Sequence, residues 1–401
     1  MKKLFLISLL VCVGILQSLA FDYNDERGVT WSCDPIDNTS VRISSASGYD
    51  YLVVIPEKVY CGTKEYTVTS IGFTFGNNKT LEKVTWPSTV TKIPGDMFYG
   101  CSSLKTVENT RNVTYIGGSA FSGCNNLIAL DLGLCGIGNQ AFYYCSKLQS
   151  IGESAQCTSV GYQAFYQCLS LEKIDMSMCT TVGYSAFESC SNLQSIGNPK
   201  LTSIPNRVLY GCSSLEKIDL SMCTTVGSNA FSVCSKLQNV NISNCTYIGD
   251  FAFNGCSSIT EVDLSACKSL GNYAFSGCKK LENIIGLENF KSIPSYAFSG
   301  TALKTVNLPV CRTIGEAAFY CCSSLQSVDL PVCVSIDNGN VSGTGAFSGC
   351  TSLTSLKLPQ CTNIGICAFM GCSSLTDVDL LACKSLGGGM LFPDALNLRM
   401  L

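Results

Sequence analysis

The sequence contains no histidine and few charged side chains. Without histidine, the chain lacks the commonest general base, the commonest zinc ligand and the base of every Ser-His or Cys-His pair, which argues against most hydrolase chemistry. Charged residues make up 14% of the chain, whereas ordinary domains have roughly 25%. Small polar residues must therefore cover much of the surface.

The charges that are present nearly cancel. The chain has 26 Lys and Arg against 29 Asp and Glu, for a net charge of -3, with no basic cluster and no acidic tail. Nucleic-acid binding needs a concentration of positive charge, so nucleic acid is not an expected partner. After the N-terminal segment, no apolar run is long enough to suggest a transmembrane segment in the mature chain.

The first residues have the features of a targeting segment. Residues 1–20 read MKKLFLISLLVCVGILQSLA, with a basic start, an apolar run and small residues at Ser18 and Ala20. This pattern predicts a secretory signal peptide cleaved before Phe21. A membrane anchor is the alternative, but it would need a longer apolar run and a stop-transfer flank. The mature protein is thus predicted to be exported, either secreted or at the cell surface.

Residues 21–70 differ from everything that follows. They contain short runs typical of β-strands, such as YLVVIP and KEYTVTSIG, separated by turn residues. We expect an N-terminal β-type cap, because the first turn of a repeat array would otherwise expose unpaired strand edges. Cys33 and Cys61 lie in this segment, and we predict a possible disulfide between them.

From residue 71 to residue 392 one pattern repeats. Residues 215–234 read LEKIDLSMCTTVGSNAFSVC, and residues 171–190 read LEKIDMSMCTTVGYSAFESC. The frame L-x-x-[IV]-x-L-x-x-C-x-x-[IV]-G-x-x-A-F-x-x-C recurs at a period of about 22 residues in about 15 turns, which indicates a solenoid. Residues 393–401 form a short C-terminal tail.

Each turn combines two local patterns. Its first half alternates apolar and polar residues, as in Ile218 to Ser221, which predicts a strand with one buried face. Its second half spaces Ala230, Phe231 and Cys234 like one turn of a helix, which predicts a short helical or 3₁₀ segment. A glycine between them allows the chain to bend. The fold class is therefore predicted to be α/β.

The two halves of the frame also resemble a known family. The first half is similar to the leucine-rich repeat signature LxxLxLxx[N/C], and the half I-G-x-x-A-F-x-x-C resembles the BspA-like family of bacterial surface proteins. The resemblance implies a right-handed superhelical solenoid with a parallel, concave β-sheet and the short helical segments on its outer side. It also implies an exported protein that adheres to ligands of host or neighbouring cells.

The 27 cysteines fall mainly into two rows, one following the strand and one following the Phe. The turn spacing of about 4.8 Å suits the Cα separation of a disulfide, but parallel side chains leave the Cβ atoms too far apart. We therefore predict buried thiols that act as small apolar groups. There is no C-x-x-C motif, so neither a metal site nor a cofactor is predicted. Cys321 and Cys367 lie outside both rows.

Two surfaces are candidates for ligand binding. On the strand face, aspartates recur in alternate turns, which limits their mutual repulsion, and some have a lysine two residues earlier. These candidates are Lys173, Asp175, Lys217, Asp219, Asp263 and Asp329. The other candidate is an outer flank of tyrosines, each directly after the Phe position, because tyrosine is enriched in recognition surfaces. They are Tyr99, Tyr143, Tyr166, Tyr210 and Tyr320. A solvated strand face and partly packed tyrosines are the structural alternatives.

Three turns depart from the frame. Those beginning at Leu148, Leu193 and Leu281 replace the strand exit with IGES, IGNP and IIGL, so we expect them to lie out of line. A longer polar connection between Ile336 and Phe347 predicts a surface loop.

These observations support three hypotheses for function. The favoured one is a secreted or surface-exposed module that binds a protein, an extracellular-matrix component or another cell-surface ligand, because the chain combines export, repeats and a lack of catalytic groups. A second is a secreted parallel β-helix enzyme acting on polysaccharide, since that fold also stacks turns of this length. A third is a structural surface protein that binds no ligand.

Overall fold

The computed structural model describes residues 19–153, 155–336, 343–380 and 382–387. The chain divides into two compact units, Met1–Gly183 and Tyr184–Leu401. Residues 1–18 of the predicted signal peptide, most of the predicted loop after Ile336 and the predicted tail 393–401 lie outside the described residues.

The first unit opens with a mixed sheet in the strand order β1-β2-β3-β6-β5, in which only the β3–β6 pair is parallel. Trp31 and Val41 are fully buried in it. The fourth strand instead pairs in parallel with the first strand of the repeats. The bounds are β1 (Phe21–Asn24), β2 (Thr30–Pro35), β3 (Ser40–Ser47), β4 (Leu52–Val54), β5 (Lys58–Cys61) and β6 (Lys64–Ile71).

The repeats of the first unit build two parallel sheets. One has the order β4-β7-β9, and isolated bridges through Ala129 continue it; the other has the order β8-β10-β11-β12-β13. The bounds are β7 (Lys83–Thr85), β8 (Lys92–Ile93), β9 (Thr106–Glu108), β10 (Tyr115–Ile116), β11 (Leu134–Ile137), β12 (Gln156–Val160) and β13 (Thr181–Val182).

The second unit repeats this arrangement. Its first-sheet strands pair as β15-β17, β19-β21 and β23-β25-β27-β29, and its second-sheet strands pair as β14-β16-β18-β20 and β22-β24-β26-β28-β30. The bounds are β14 (Ser203–Ile204), β15 (Lys217–Ile218), β16 (Thr225–Val226), β17 (Asn239–Val240), β18 (Tyr247–Ile248), β19 (Glu261–Asp263), β20 (Ser269–Leu270), β21 (Asn283–Ile285), β22 (Ser292–Ile293), β23 (Thr305–Asn307), β24 (Thr313–Ile314), β25 (Ser327–Asp329), β26 (Ser335–Ile336), β27 (Ser355–Lys357), β28 (Asn363–Ile364), β29 (Asp377–Asp379) and β30 (Ser385–Leu386).

The predicted solenoid of parallel strands is therefore confirmed, and a second strand is added to it. The predicted strand around Ile218 belongs to the first sheet, where Ile218 pairs with Val240 of the next turn. The segment predicted only as a bend carries the second strand, in which Val226 pairs with Ile248. Its pattern is difficult to detect because each such strand is only a few residues long.

The predicted short helical segments are wrong. Among the described residues the one helix is a 3₁₀-helix at Leu287–Asn289, outside the Ala-Phe motif. The Ala-Phe segments form turns with two residues in the left-handed region: Asn229, before the Ala, has φ 57°, and Val233, before the Cys, has φ 65°. Left-handed residues interrupt a right-handed helix, although the spacing of the buried side chains is the same.

Backbone hydrogen bonds in these segments alternate in direction. The N–H groups of Asn229, Phe231 and Val233 donate to carbonyls of the next turn, at 2.8, 2.8 and 2.7 Å. The intervening Ala230 and Cys234 N–H groups donate within their own turn, at 3.3 and 3.1 Å. Buried donors are thus satisfied without a helix, and each turn is bonded to the next one.

The Phe and Cys side chains of the motif form the interior. Phe231 and Phe253 stack with ring centroids 5.2 Å apart at an interplanar angle of 5°. The Phe231 carbonyl accepts hydrogen bonds from the N–H of Cys234, at 3.1 Å, and from the Sγ of Cys256 in the next turn, at 3.0 Å. The described cysteines are free thiols, and nearly all are buried. Burial raises the pKa of Cys234 to about 12.

Val233 gives a test of the turn geometry. It is exposed (45%) and holds a left-handed conformation at the position where other turns carry glycine, such as Gly255. We expect Val233→Gly to raise the free energy of unfolding by about 0.5–1 kcal/mol, because relief of strain outweighs the added freedom of the unfolded chain. Thermal and urea unfolding would measure it. The reverse change, Gly255→Val, should destabilise, and a stabilising result there would contradict this geometry.

The thiols give a second test. At pH 8, iodoacetamide should modify exposed Cys321 in the folded protein, whereas the buried row should react only in denaturant. Labelling of exposed Cys61 would exclude the disulfide predicted with Cys33. Burial keeps thiols such as Cys234 protonated, and the thiolate is the reactive form. Peptide mass spectrometry would locate the labels. Two results would refute the assignment of the row cysteines as buried thiols: their oxidation, or their modification in the folded protein at the rate of Cys321.

Candidate functional site

An open groove lies on the first-sheet side of the second unit, where the repeat is interrupted at the turn that begins at Leu193. Gly197 has φ 69°, its N–H donates to the Ser195 hydroxyl at 3.3 Å, and the described turn carries no first-sheet strand there. The next turn carries β15. In this turn only a single bridge residue, Ser195, represents the first sheet, and a groove of about 560 Å³ lies there.

Most of the residues that line the groove have polar side chains, and Ile218 and Gly197 complete the lining. Lys217 and Asp219, both predicted as ligand-binding residues, lie in it, together with Asn198, Asn239 and Asn241. These side chains are exposed, and Lys217 pairs in register with Asn239. The groove thus presents one cation, one anion and several amides from paired strands, which offer both hydrogen-bond donors and acceptors at defined positions.

The aspartates also stabilise the ends of their strands. Oδ1 of Asp219 accepts the Ser221 N–H at 2.9 Å, and this bond and the Ser221 hydroxyl lower the pKa of Asp219. Ser265 N–H donates in the same way to Asp263 at 2.9 Å. Such a turn accounts for the recurring D-x-S sequence. One oxygen of each of these carboxylates therefore already has a partner within its own turn.

The other predicted strand-face residues lie elsewhere. Asp175, in the first unit, accepts the Ser177 N–H at 2.8 Å and is half-buried, while Lys173 is exposed. Asp329, on β25, lies in register between Asn307 and Lys357, so no acid flanks it there. The structure thus brings only Lys217 and Asp219 together in the groove.

The tyrosines of the outer flank differ in exposure. Tyr99 is exposed, and the other four are half-buried. In the first unit, Tyr143 and Tyr166 stack with centroids 5.0 Å apart. In the second unit, the Arg207 guanidinium lies 4.3 Å from the ring centroid of Tyr210. Part of the tyrosine surface is therefore used in packing, and binding through this flank stays a prediction.

The structure contains two further features that were not predicted from the sequence. A second aromatic stack joins Phe251, Tyr273 and Tyr296, with centroids 4.5 and 4.3 Å apart; the signal was an aromatic residue directly before Ala-Phe in three successive turns. The other is an ion pair. Buried Glu188 accepts from Arg207 Nη2 at 2.6 Å and from Nε at 3.0 Å.

Cys33 and Cys61 are free thiols on β2 and β5. Burial and the Asp22 carboxylate raise the pKa of Cys33 to about 12, and Cys61 is near enough to contribute. The disulfide between them stays a prediction.

Within the described ranges, no group of three or more acidic or thiol side chains is placed to hold a metal ion. No helix in that part of the chain is long and apolar enough to cross a membrane.

Comparison with known families agrees with this geometry. The model of the BspA type leucine rich repeat region matches in 6 copies, over residues 69–194, 158–270, 264–376 and 337–392. The chain belongs to the BspA-type leucine-rich repeat family. This membership confirms the resemblance drawn from the I-G-x-x-A-F-x-x-C motif.

The chain is also similar to solved structures of leucine-rich repeat proteins. A leucine-rich repeat protein from Bacteroides ovatus is 24% identical, covers 90% of this chain and 98% of its own, and has a TM-score of 0.61. A leucine rich cell surface protein from Faecalibacterium prausnitzii is also 24% identical, with coverages of 86% and 94% and a TM-score of 0.49. No curated protein gives a significant match. This BspA-type chain is therefore a leucine-rich repeat protein in sequence and in fold.

The Glu188–Arg207 pair gives a pH-dependent test. Burial alone would raise the pKa of Glu188, but the hydrogen bonds from Arg207 and the Ser185 side chain hold it below its usual value. The pair therefore stabilises the fold above the unfolded-state pKa of about 4.3, and this contribution is lost as the pH falls through the lower folded-state pKa.

We expect Glu188→Gln to lower the free energy of unfolding by about 1–3 kcal/mol at pH 7 and by progressively less below pH ~4, as the wild-type carboxyl is protonated. Urea unfolding across pH would measure this. The matched control is Glu282→Gln, which breaks an exposed pair with Lys304 and should cost less than about 0.5 kcal/mol. Equal losses for both variants would show that the buried Glu188–Arg207 pair contributes no more than an exposed one.

Proposed function

We propose that this BspA-type protein is an exported, surface-exposed module that binds another protein and so mediates adhesion to host or neighbouring cells. Family membership supports a repeat protein, and the basic and apolar pattern of residues 1–20 supports export. The observation that carries the proposal is the polar groove beside Lys217 and Asp219.

The groove suits a protein partner for a physical reason. Its amides can donate to and accept from peptide groups, while Lys217 and Asp219 can pair with charges of either sign. The lining strands β15 and β17 are hydrogen-bonded to each other, so little backbone order has to be gained on binding. Functional sites are also expected where a regular sequence pattern is interrupted, because proteins depart from locally consistent sequence mainly at functional or strained sites.

The two alternatives now differ in support. A polysaccharide-cleaving β-helix was suggested by turn length, and that argument no longer applies to a member of a leucine-rich repeat family. A structural spacer remains the alternative, and it predicts no saturable ligand.

Binding should depend on the groove. Immobilised protein would capture candidate partners from matrix proteins and bacterial surface extracts, and each captured protein would be purified and titrated. Lys217→Gln combined with Asp219→Asn should weaken a true partner about tenfold or more, since hydrogen bonds to charged groups contribute about 1.5–3 kcal/mol each. Asn at 219 retains an acceptor for the Ser221 N–H, so the fold should be kept.

Asp329→Asn is the matched control, because Asp329 is exposed on β25 and does not line the groove. Unchanged affinity in the double variant would transfer the site to another surface, such as the tyrosine flank. The absence of any saturable partner would instead favour the spacer.

A further inference from the structure

A second and larger groove lies in the second unit, at the other irregular turn. It measures about 900 Å³, and its lining includes Lys268, Ser269, Leu270, Lys291, Ser292 and Pro294. These residues belong to or flank β20 and β22, which are consecutive second-sheet strands that do not pair with each other. The groove thus marks a gap in the second sheet.

The sequence of the turn that begins at Leu281 explains the gap. The stretch from Leu281 to Phe290 is one residue longer than the corresponding stretch from Ile259 to Cys267, and the 3₁₀-helix Leu287–Asn289 takes up the extra length. Phe290 occupies the position that a cysteine of the strand row fills in the neighbouring turns, and it is buried. The chain therefore enters β22 displaced from its regular path.

Proline then removes the hydrogen bond that would close the sheet. In neighbouring turns a glycine follows the second strand and donates its N–H to the preceding turn: Gly271 to Ile248 at 2.8 Å, and Gly315 to Ile293 at 2.9 Å. Pro294 occupies this position after β22 and has no N–H. In the described part of the chain, no backbone hydrogen bond joins β20 to β22, so the carbonyl of Leu270, a residue that lines the groove, lacks that partner.

Positive charge accumulates at the same place. One position of the repeat directly follows the cysteine of the strand row, or Phe290 in its place. In two preceding turns this position holds Thr224 and Thr246, but in the next three turns it holds Lys268, Lys291 and Arg312. All three cations are exposed, and the Arg312 N–H donates to the Lys291 carbonyl at 2.8 Å, which places them on adjacent turns.

No carboxylate compensates these cations. None of the ion pairs among the described residues involves Lys268, Lys291 or Arg312, and the groove lining contains no Asp or Glu. Lys291 and Arg312 directly precede the paired strands β22 and β24, and such strands lie about 4.8 Å apart, so these two charges repel one another. A ligand with negative charges along its length would relieve this repulsion.

We propose that this groove binds an extended acidic segment of a partner protein. The open edge of β20 can accept a peptide N–H at the Leu270 carbonyl, as in other cases of β-strand addition, and the cations pair with carboxylates of the segment. The open backbone edge favours a peptide over an anionic glycan, and the one aromatic residue in the lining, Phe290, is too buried to stack on a sugar. This site is separate from the groove at Lys217.

A defined probe tests the proposal on the whole protein. A fluorescent ten-residue peptide of alternating Glu and Thr would be titrated by anisotropy, beside a Lys/Thr peptide and a Glu/Thr peptide N-methylated at alternate residues. We expect the acidic peptide to bind, the basic one not to bind, and the N-methylated one to bind about fivefold more weakly, since a hydrogen bond contributes about 1 kcal/mol.

Variants separate this site from general charge effects. Lys268→Gln with Lys291→Gln should weaken the acidic peptide about tenfold, whereas Lys280→Gln, at an exposed lysine outside the groove, should not change its affinity. Circular dichroism would confirm that each variant is folded. The Asp219→Asn variant should also bind normally, so this result is independent of the proposed function.

Two outcomes would overturn the proposal. Equal affinity for the N-methylated and unmodified peptides would exclude strand addition. Saturable binding of dextran sulfate at Lys268 and Lys291, without binding of the acidic peptide, would assign the groove to an anionic polysaccharide instead.

Discussion

The structure depends on hydrogen bonds that link each turn to the next outside the β-sheets. In the Ala-Phe segment, alternate N–H groups donate to the following turn, and the Phe carbonyl accepts both a backbone N–H and the thiol of the next cysteine. This explains why a chain with so many cysteines has free thiols in its core. Cysteine is small enough to be buried and can still donate to a carbonyl that one N–H leaves half satisfied.

The same constraint explains what the sequence could predict. The buried positions were correct, because apolar spacing reports which side chains face inward. The first-sheet strands followed from their alternation, and their parallel arrangement was implied by the family resemblance. The helical segment was wrong, because a helix and a turn with two left-handed residues place Ala230, Phe231 and Cys234 at similar spacings. The sign of φ separates the two. In the sequence, positive φ was signalled by the glycine that directly precedes the cysteine of the Phe row in many turns, as at Gly255 and Gly277.

The candidate sites were predictable only in part. Lys217 and Asp219 were identified as exposed strand residues, but the groove that they line is completed by Gly197 and Asn198 of the preceding turn, which no property of Lys217 reveals. The turns in which an Asp carboxylate accepts the N–H of the serine two residues later could be recognised in the sequence as D-x-S. The edges of the second sheet could also be predicted from the sequence, because Ile-Pro replaces Ile-Gly there. The prolines are Pro94, Pro205 and Pro294, and each directly follows the first strand of a continuous stretch of the second sheet. The shared repeat position of Lys268, Lys291 and Arg312 is also visible in the sequence, but the groove beside Lys268 and Lys291 is visible only in the structure.

Irregular turns have an advantage for recognition in such a molecule. Regular turns present nearly the same side chains at a constant spacing, so a ligand that fitted one pair of turns would fit the next pair almost equally well, and binding would have no defined register. The turns at Leu193 and Leu281 are different from their neighbours in backbone and in charge, and each opens a groove. A ligand held there can be positioned in one way only, while the regular turns on either side supply the rigidity that keeps the groove open.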